Sequence, residues 1–344
     1  MSYIIVDFER YIMKNIYLTN LEDKDKEGLI NELKNFYIPY RNTLGLDKKA
    51  TFGCEIEFNI YGYDSLDVEN SKAQNFMNKI GYPYKWKVTS EINSRIEIIS
   101  DVLSDKKEDW VLLKNILGFL NENNAYSNGK GGSHVHVGNQ IIANDFDTLE
   151  LFLKLFACYE NEIIRFTNGE YYFDRVQFDY MCKRSKEIIF DMIRKKDFLK
   201  RKNVSRLLCS KMSSINFPST DFYKLIKTNY KAFYYDKSNT TEFRTPSLTL
   251  NPVIWQNNIN FFVKLMSCMK NKDFDKELLN YRYNKEKDNL FFYKDYSDFK
   301  AFELCDLVFY NELDKMSFLR QYYKDFDAPT RMNYMTKAKP FYKL

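Results

Sequence analysis

The chain has 344 residues, 44% of them hydrophobic and 17% aromatic, which is enough apolar material for a sizeable core and excludes a globally disordered polypeptide. The formal net charge is +5 with both signs interspersed, and no basic cluster accompanies a nucleic-acid-binding motif, so no nucleic-acid partner is expected. No run approaches the about 20 apolar residues of a membrane span, the N-terminal stretch lacks a positive-then-apolar signal pattern, and the six cysteines are scattered without a C-x-x-C pair. These features predict a cytoplasmic chain with reduced thiols and no membrane partner.

In chain order, residues 8–46 read as mostly helical, with Leu29, Ile30, Leu33, Phe36 and Tyr37 at helical intervals and breaks near Pro39 and Gly45. Residues 50–62 and 84–99 switch to a period of two. Residues 107–122 and 146–168 are long amphipathic helices, 175–212 a basic helical stretch, 230–249 strands, and 253–270 another helix. From 271 the chain is charged and aromatic and reads as helical. The expected organisation is an N-terminal helical segment (1–48), a central domain (49–270) and a C-terminal helical extension packed on it (271–344). Polar strand faces and single helices between strands predict an α+β fold with a mainly antiparallel sheet.

Glycine and histidine usage narrows the chemistry. No G-x-G-x-x-G follows a strand, and Gly129-Lys130 lacks the Ser or Thr and the first Gly of a P-loop, so neither nucleotide motif is present. Both histidines of the chain, His134 and His136, lie in "GGSHVHVG". There is no nucleophile elbow, no paired cysteines for structural zinc, and no third histidine for a histidine-rich metal barrel.

Four short segments share one design. In "TFGCEIEFNIYG" (51–62), Phe52, Cys54, Ile56, Phe58 and Ile60 occupy one strand face, and Glu55, Glu57 and Asn59 the other. In "KWKVTSEINSRIEIIS" (85–100), Glu91, Asn93, Arg95 and Glu97 oppose Ile92, Ile96 and Ile98. His134 and His136 oppose Val135 and Val137, and in "NTTEFRTP" (239–246) Glu242 and Arg244 oppose Phe243. Taken singly, a Glu-x-Glu strand is a solvated face and Glu-Phe-Arg a surface ion pair. Taken together, carboxylates repeated at alternate positions repel unless a cation lies between them. If the strands are neighbours, the shared face offers carboxylate oxygen and imidazole nitrogen, a donor set suited to Mg²⁺ or Mn²⁺.

The motifs "FGCEIEFNI", "TSEINSRIEIIS", "GGSHVHVG" and "TEFRTPSLTLNP" resemble the four landmark strands of the carboxylate–amine ligases related to glutamine synthetase, and most of all their amidoligase branch. The resemblance covers residues 50–265. It implies an ATP-dependent ligase on a curved, mainly antiparallel sheet of the glutamine-synthetase-like type, with helices on its apolar face. By position in the motifs, Glu57, Glu91 and Glu97 would surround one ion, and Glu55, His134 and Glu242 a second ion on the ATP phosphates. His136 and Arg244 would face phosphate or the transferred group. Arg95 would contact phosphate or substrate carboxylate, or pair with Glu91 or Glu97. Arg165 and Arg175, at and after "ENEIIRF", are weaker candidates. Glu91 and Glu97 are spaced differently from the pair in glutamine synthetase. The glutamate- and ammonia-binding segments have no counterpart, so no particular substrate is implied.

The expected reaction follows. A carboxylate is activated by ATP as an acyl phosphate, and an amine displaces phosphate to form an amide. Moving a phosphoryl group between two anions calls for cations and arginines rather than a nucleophilic side chain. The expected partners are small-molecule, peptide or protein carboxylates and amines, and the expected assembly is a monomer or small homo-oligomer. Two other readings use the same residues: a phosphotransferase similar to guanidino kinases, and a catalytically inactive binding protein.

Overall fold

The computed structural model describes residues 18–60, 70–91, 95–126, 132–142, 146–168, 186–194, 220–221, 240–287 and 297–323. Within them the chain alternates helices and strands. Helix α1 spans Asp23–Leu33, strand β1 Phe52–Ile60, α2 Asn70–Lys79, β2 Lys87–Glu91, β3 Arg95–Ile99, α3 Lys107–Glu122, β4 Ala125–Tyr126 and β5 Ser133–Gly138. Then come α4 at Phe146–Cys158, α5 at Glu160–Thr167, α6 at Lys186–Arg194, β6 at Thr220–Asp221, β7 at Thr240–Phe243 and α7 at Pro252–Ser267. Helices α8 (Lys276–Glu286), α9 (Asp298–Val308) and α10 (Glu312–Tyr323) complete the described chain.

Six strands form an open antiparallel sheet in the order β2-β3-β1-β5-β7-β6, and β4 pairs with the end of β1 off this path. Period-two patterning produces this sheet. Phe52, Cys54, Ile56, Phe58 and Ile60 are buried, as are Val88, Ile96, Ile98, Val135, Val137 and Phe243. Helices cover that apolar face. Phe52 stacks on Trp110 of α3 with ring centroids 4.9 Å apart, and Phe243 stacks on Phe262 of α7 at 4.0 Å. Phe152 and Phe156 of α4 pack on Phe243 as well. At about 1.5–3 kcal/mol for each fully buried aliphatic or aromatic side chain, this face dominates the energetics of the sheet.

Local signals set the helix ends. Helix α3 buries Trp110, Leu113, Ile116, Leu117 and Leu120 along one stripe, carries Glu108 and Asp109 in its first turn, and is followed by Asn124 at φ 61°, a left-handed conformation that asparagine tolerates. Helix α7 starts with Asn251 accepting from the Val253 N–H and Pro252 in the first turn. Helix α7 is buried along almost its whole length, its amides included. Asn257 donates to Gln321 and to the Ser317 carbonyl, and Gln256 exchanges two bonds with the Arg41 backbone. Phe166 stacks on Phe318 at 4.5 Å, so α5 and α10 form a further layer behind α7. One contiguous apolar cluster runs from Leu18 to Tyr322.

Three sequence expectations need correction. The segment read as one strand over 84–99 is two strands, β2 and β3, paired antiparallel with Glu91 opposite Arg95. Alternation does not distinguish a strand from a hairpin whose two arms keep the same parity. The helix expected over 146–168 is broken at Tyr159 (φ −117°, ψ 18°), which reorients Glu160 and Glu162 into a buried position. Of the helix expected over 8–46, residues 8–17 lie outside the described residues and 23–33 are helical; residues 36–47 are irregular, and there the Asp105 carboxylate accepts N–H bonds from Leu44 and Leu46. Of the helix expected over 175–212, residues 186–194 are described and helical; of the strands expected over 230–249, Thr240–Phe243 is one.

Candidate functional site

The register of four strands assembles the site. Glu57 lies directly opposite Glu97 on β3, Glu55 opposite His134 on β5, and His136 opposite Glu242 on β7. Cross-strand partners share a face, so these side chains form one polar grid on the surface away from the helices. Each grid residue alternates with an interior one: Ile56 sits between Glu55 and Glu57, Val135 between the histidines, and Phe243 after Glu242. Gly53 occupies the position opposite His136.

Contacts within the grid are close. His134 Nδ1 lies 2.7 Å from Glu55 Oε2 and 3.3 Å from Glu242 Oε1. His134 Nε2 lies 3.9 Å from Glu57 Oε1 and has no hydrogen-bond partner although it is buried. His136 Nε2 is 3.0 Å from Glu55 Oε1, and its Nδ1 is 3.2 Å from the Thr240 hydroxyl. Glu57 Oε2 accepts from Arg95 Nη1 at 2.9 Å and from the Gly132 N–H at 3.0 Å. Arg244 Nη1 bonds Glu242 Oε1. Glu57, Glu97 and His134 are each 5% exposed and Glu242 6%, whereas Glu55, His136, Arg95 and Arg244 are half-buried at the rim.

The chain after β7 holds this geometry in place. Ser133 N–H donates to the Pro246 carbonyl, Gly132 bridges to Ser247, and Ser247 in turn bonds Thr167 and Asn168 at the end of α5. The N–H that Gly132 offers to Glu57 is therefore fixed by backbone pairing on its other side.

Four carboxylates (Glu55, Glu57, Glu97, Glu242) meet two guanidiniums (Arg95, Arg244) here. The carboxylates outnumber the guanidiniums by two among the described side chains. Burial opposes ionisation of Glu55, but hydrogen bonds and charge from both imidazoles outweigh it and hold the carboxyl well below the usual carboxylate range. Glu242 is also buried, and His134, Arg244 and His136 together lower its pKa. Two sets of potential ligand atoms, Glu55–His134–Glu242 and Glu57–Glu97–His134, each lie within 4.8 Å of one another. Their oxygen-rich composition with one imidazole matches the ligand preference of Mg²⁺ or Mn²⁺ better than that of soft metals.

The structure thus brings together Glu55, Glu57, Glu97, His134, His136, Glu242, Arg95 and Arg244. Arg95 contacts Glu57, a partner the sequence reading did not name. Glu91 takes the register position opposite Arg95, and its side chain lies outside the described residues, as does Arg175. Arg165 stacks over the Tyr322 ring at 5.1 Å. Sequence reasoning missed two participants, Thr240 and the Gly132 N–H. Thr240 shares the parity of Glu242 and could have been found by extending the alternation one step. The Gly132 N–H is a backbone group with no side-chain signature. Asp221 takes the register position opposite Glu242, and its side chain lies outside the described residues.

No protein-family model matches the chain, and a search of curated proteins finds no match either. Among the described residues, no helix is long and apolar enough to cross a membrane.

Proposed function

We propose that the chain is an ATP-dependent carboxylate–amine ligase of the glutamine-synthetase-like type, acting through an acyl phosphate with two divalent cations, Mg²⁺ or Mn²⁺. One observation carries this reading: His134 is shared by two carboxylate pairs on one sheet face, with Nδ1 beside Glu55 and Glu242, Nε2 toward Glu57, and Glu97 grouped with Glu57 and the ring. The fit of cations rests on the excess of carboxylates over guanidiniums and on the buried, unpartnered Nε2. A solvated strand face needs neither feature.

In this reading Glu55, Glu242 and His134 hold one cation, and Glu57 and Glu97 hold the other. When bound, the cations supply charge compensation for triphosphate and for the carboxylate under attack. The protein's own residues do the rest. Arg95 and the Gly132 N–H occupy Glu57 Oε2, which leaves Oε1 as the free ligand oxygen. Arg244 sits at the rim next to Glu242, where its guanidinium can meet the transferred phosphoryl group. His136 is oriented by Thr240 and Glu55 and presents its ring edge to the same face. Fixed donors of this kind stabilise developing charge without reorganising.

The test incubates the protein with ATP, Mg²⁺ or Mn²⁺, a panel of carboxylates, and hydroxylamine as the amine. Hydroxamate formed with stoichiometric ADP and phosphate is the expected result. Phosphorylated product without hydroxamate would move the assignment to a phosphotransferase. Failure to bind Mg-ATP would leave a binding protein and overturn the catalytic reading.

A further inference from the structure

Helix α5 ends at Thr167, and the last carbonyls of a helix have no partner inside it. Two neighbours take them up here. From α10, the buried Gln321 donates an Nε2 hydrogen to the Phe166 carbonyl at 3.0 Å. From the chain after β7, the Ser247 N–H donates to the Thr167 carbonyl at 3.1 Å, and the Ser247 hydroxyl donates to Asn168 Oδ1 at 3.0 Å. Ser247 pairs with Gly132, whose N–H holds Glu57 Oε2 at 3.0 Å. Three consecutive residues, 166–168, therefore connect Gln321 to the peptide that orients Glu57. Gln321 is itself fixed: Nε2 also donates to Asn258 Oδ1 at 2.8 Å, and Oε1 accepts from Asn257 Nδ2 at 2.9 Å. Phe318 of the same helix already supplies the apolar contact with α5, so a buried amide at 321 adds direction rather than burial.

We propose, resting on the two-cation reading above, that Gln321 is a positioning residue for Glu57. It holds the end of α5, the end of α5 holds Ser247, and Ser247 holds the Gly132 N–H on Glu57 Oε2. Oε1 thereby stays the ligand oxygen of the Glu57–Glu97 position. The C-terminal helices, which carry no chemical motif of their own, thus set the geometry of a cation position on the far side of the sheet.

Mn²⁺ binding to the full chain, followed by the paramagnetic resonance signal of the free ion, tests this without ATP or a substrate. Gln321→Met keeps the length of the side chain and deletes its three amide bonds, and Ser247→Ala deletes only the hydroxyl link. Each is measured alone and in a Glu57→Gln background, with urea unfolding run on the metal-free proteins. Both variants should raise the Kd of one Mn²⁺ position, about 10-fold for Gln321→Met. Neither should weaken further the ion that still binds the Glu57→Gln protein. A lower urea midpoint with unchanged Mn²⁺ affinity makes Gln321 purely structural and overturns the proposal, and so does an equal weakening in the Glu57→Gln background. If Gln321→Met does not fold, Ser247→Ala decides, and an unchanged Kd there overturns the chain of contacts. A wild type that binds two ions while both variants bind them equally well overturns the positioning role and leaves the two-cation reading in place. If the wild type binds no Mn²⁺, the two-cation reading fails and the positioning role fails with it.

Discussion

Glu57 and Glu97 face each other directly across the β1–β3 ladder, and both are buried. Like charges directly opposite on a sheet destabilise it, by an amount comparable to the about 0.2–1 kcal/mol of a favourable cross-strand pair. The apolar face beneath them outweighs this cost several times over. The fold therefore tolerates an arrangement that a bound cation would turn from a liability into an asset.

We expect Glu97→Gln to leave metal-free stability equal or higher, because it removes the repulsion. The same change should diminish the stabilisation by Mn²⁺ expected of the wild type, by about 2.7 kcal/mol at a hundredfold excess over the Kd of the lost position. Hydroxamate formation should fall on the order of 100-fold or more. Thermal unfolding with and without Mn²⁺ checks this, and an undiminished Mn²⁺ response in the variant would remove Glu97 from the site.

Arg95 supplies the positive charge that Glu57 has in the metal-free protein. Replacing it with methionine keeps the aliphatic stem and deletes a charge-assisted bond, at a predicted cost of about 1.5–3 kcal/mol. Because a cation at Glu57 takes over part of the guanidinium's charge compensation, Mn²⁺ should recover part of the loss. Urea titrations at several Mn²⁺ concentrations measure both effects. A deficit that does not shrink with Mn²⁺ contradicts the role assigned to Arg95.

Far from the site, Asp314 is fully buried and accepts from Arg41 at 2.7 Å, from Asn260 at 2.8 Å, and from Lys264 and Asn311. Burial opposes its ionisation, but the Lys264 and Arg41 charges and their hydrogen bonds hold its pKa below the ordinary value. A carboxylate with a depressed folded pKa adds stability that is present above its unfolded pKa, about 3.9, and is lost as pH falls through the folded one. Asp314→Asn leaves two cations short of a partner and should cost about 3–5 kcal/mol at neutral pH. That deficit should narrow in acid below the usual carboxylate range. A deficit constant with pH would contradict the electrostatic assignment.

Glu162 is predicted to behave in the opposite way. Burial, its dominant influence, raises its pKa in spite of Lys300 at 3.5 Å and the Ser297 N–H. Its contribution is fully present below the unfolded pKa, about 4.3, and is lost as pH rises through the folded value. Glu162→Gln should therefore be neutral or stabilising at pH 7, with the advantage growing as pH rises from acid. Lys300 keeps Glu286 at 3.4 Å as a partner in the variant. Chemical denaturation at pH 5 and pH 8 decides the point, and marked destabilisation at pH 8 would refute it.

How much of this was legible depended on the kind of signal. The two faces of β1 and β5 were readable because period-two alternation has no helical counterpart, and His134 and His136 stood out by their rarity. Helix α3 was readable because its apolar stripe and its Asn-rich end agree. The β2–β3 turn was hidden because Glu91 and Arg95 keep the same parity whether the chain runs straight or doubles back. The Asp314 cluster joins residues from 41, 260, 264, 311 and 314, and no local pattern links such distant positions. Likewise, the pairing of Arg95 with Glu57 rather than a neighbour on its own strand depends on register, which sequence parity leaves open.

Phe243 locks against Phe262 immediately after Glu242 in the chain, just as Val135 is wedged between the two histidines. The polar grid is thus mounted on anchored backbone, with nearly every reactive group one residue from an immobile neighbour. Reactants have to travel to this platform, since the platform has little freedom to travel to them. Any change in what such a face accepts would then proceed by rebuilding the walls around an unmoving floor.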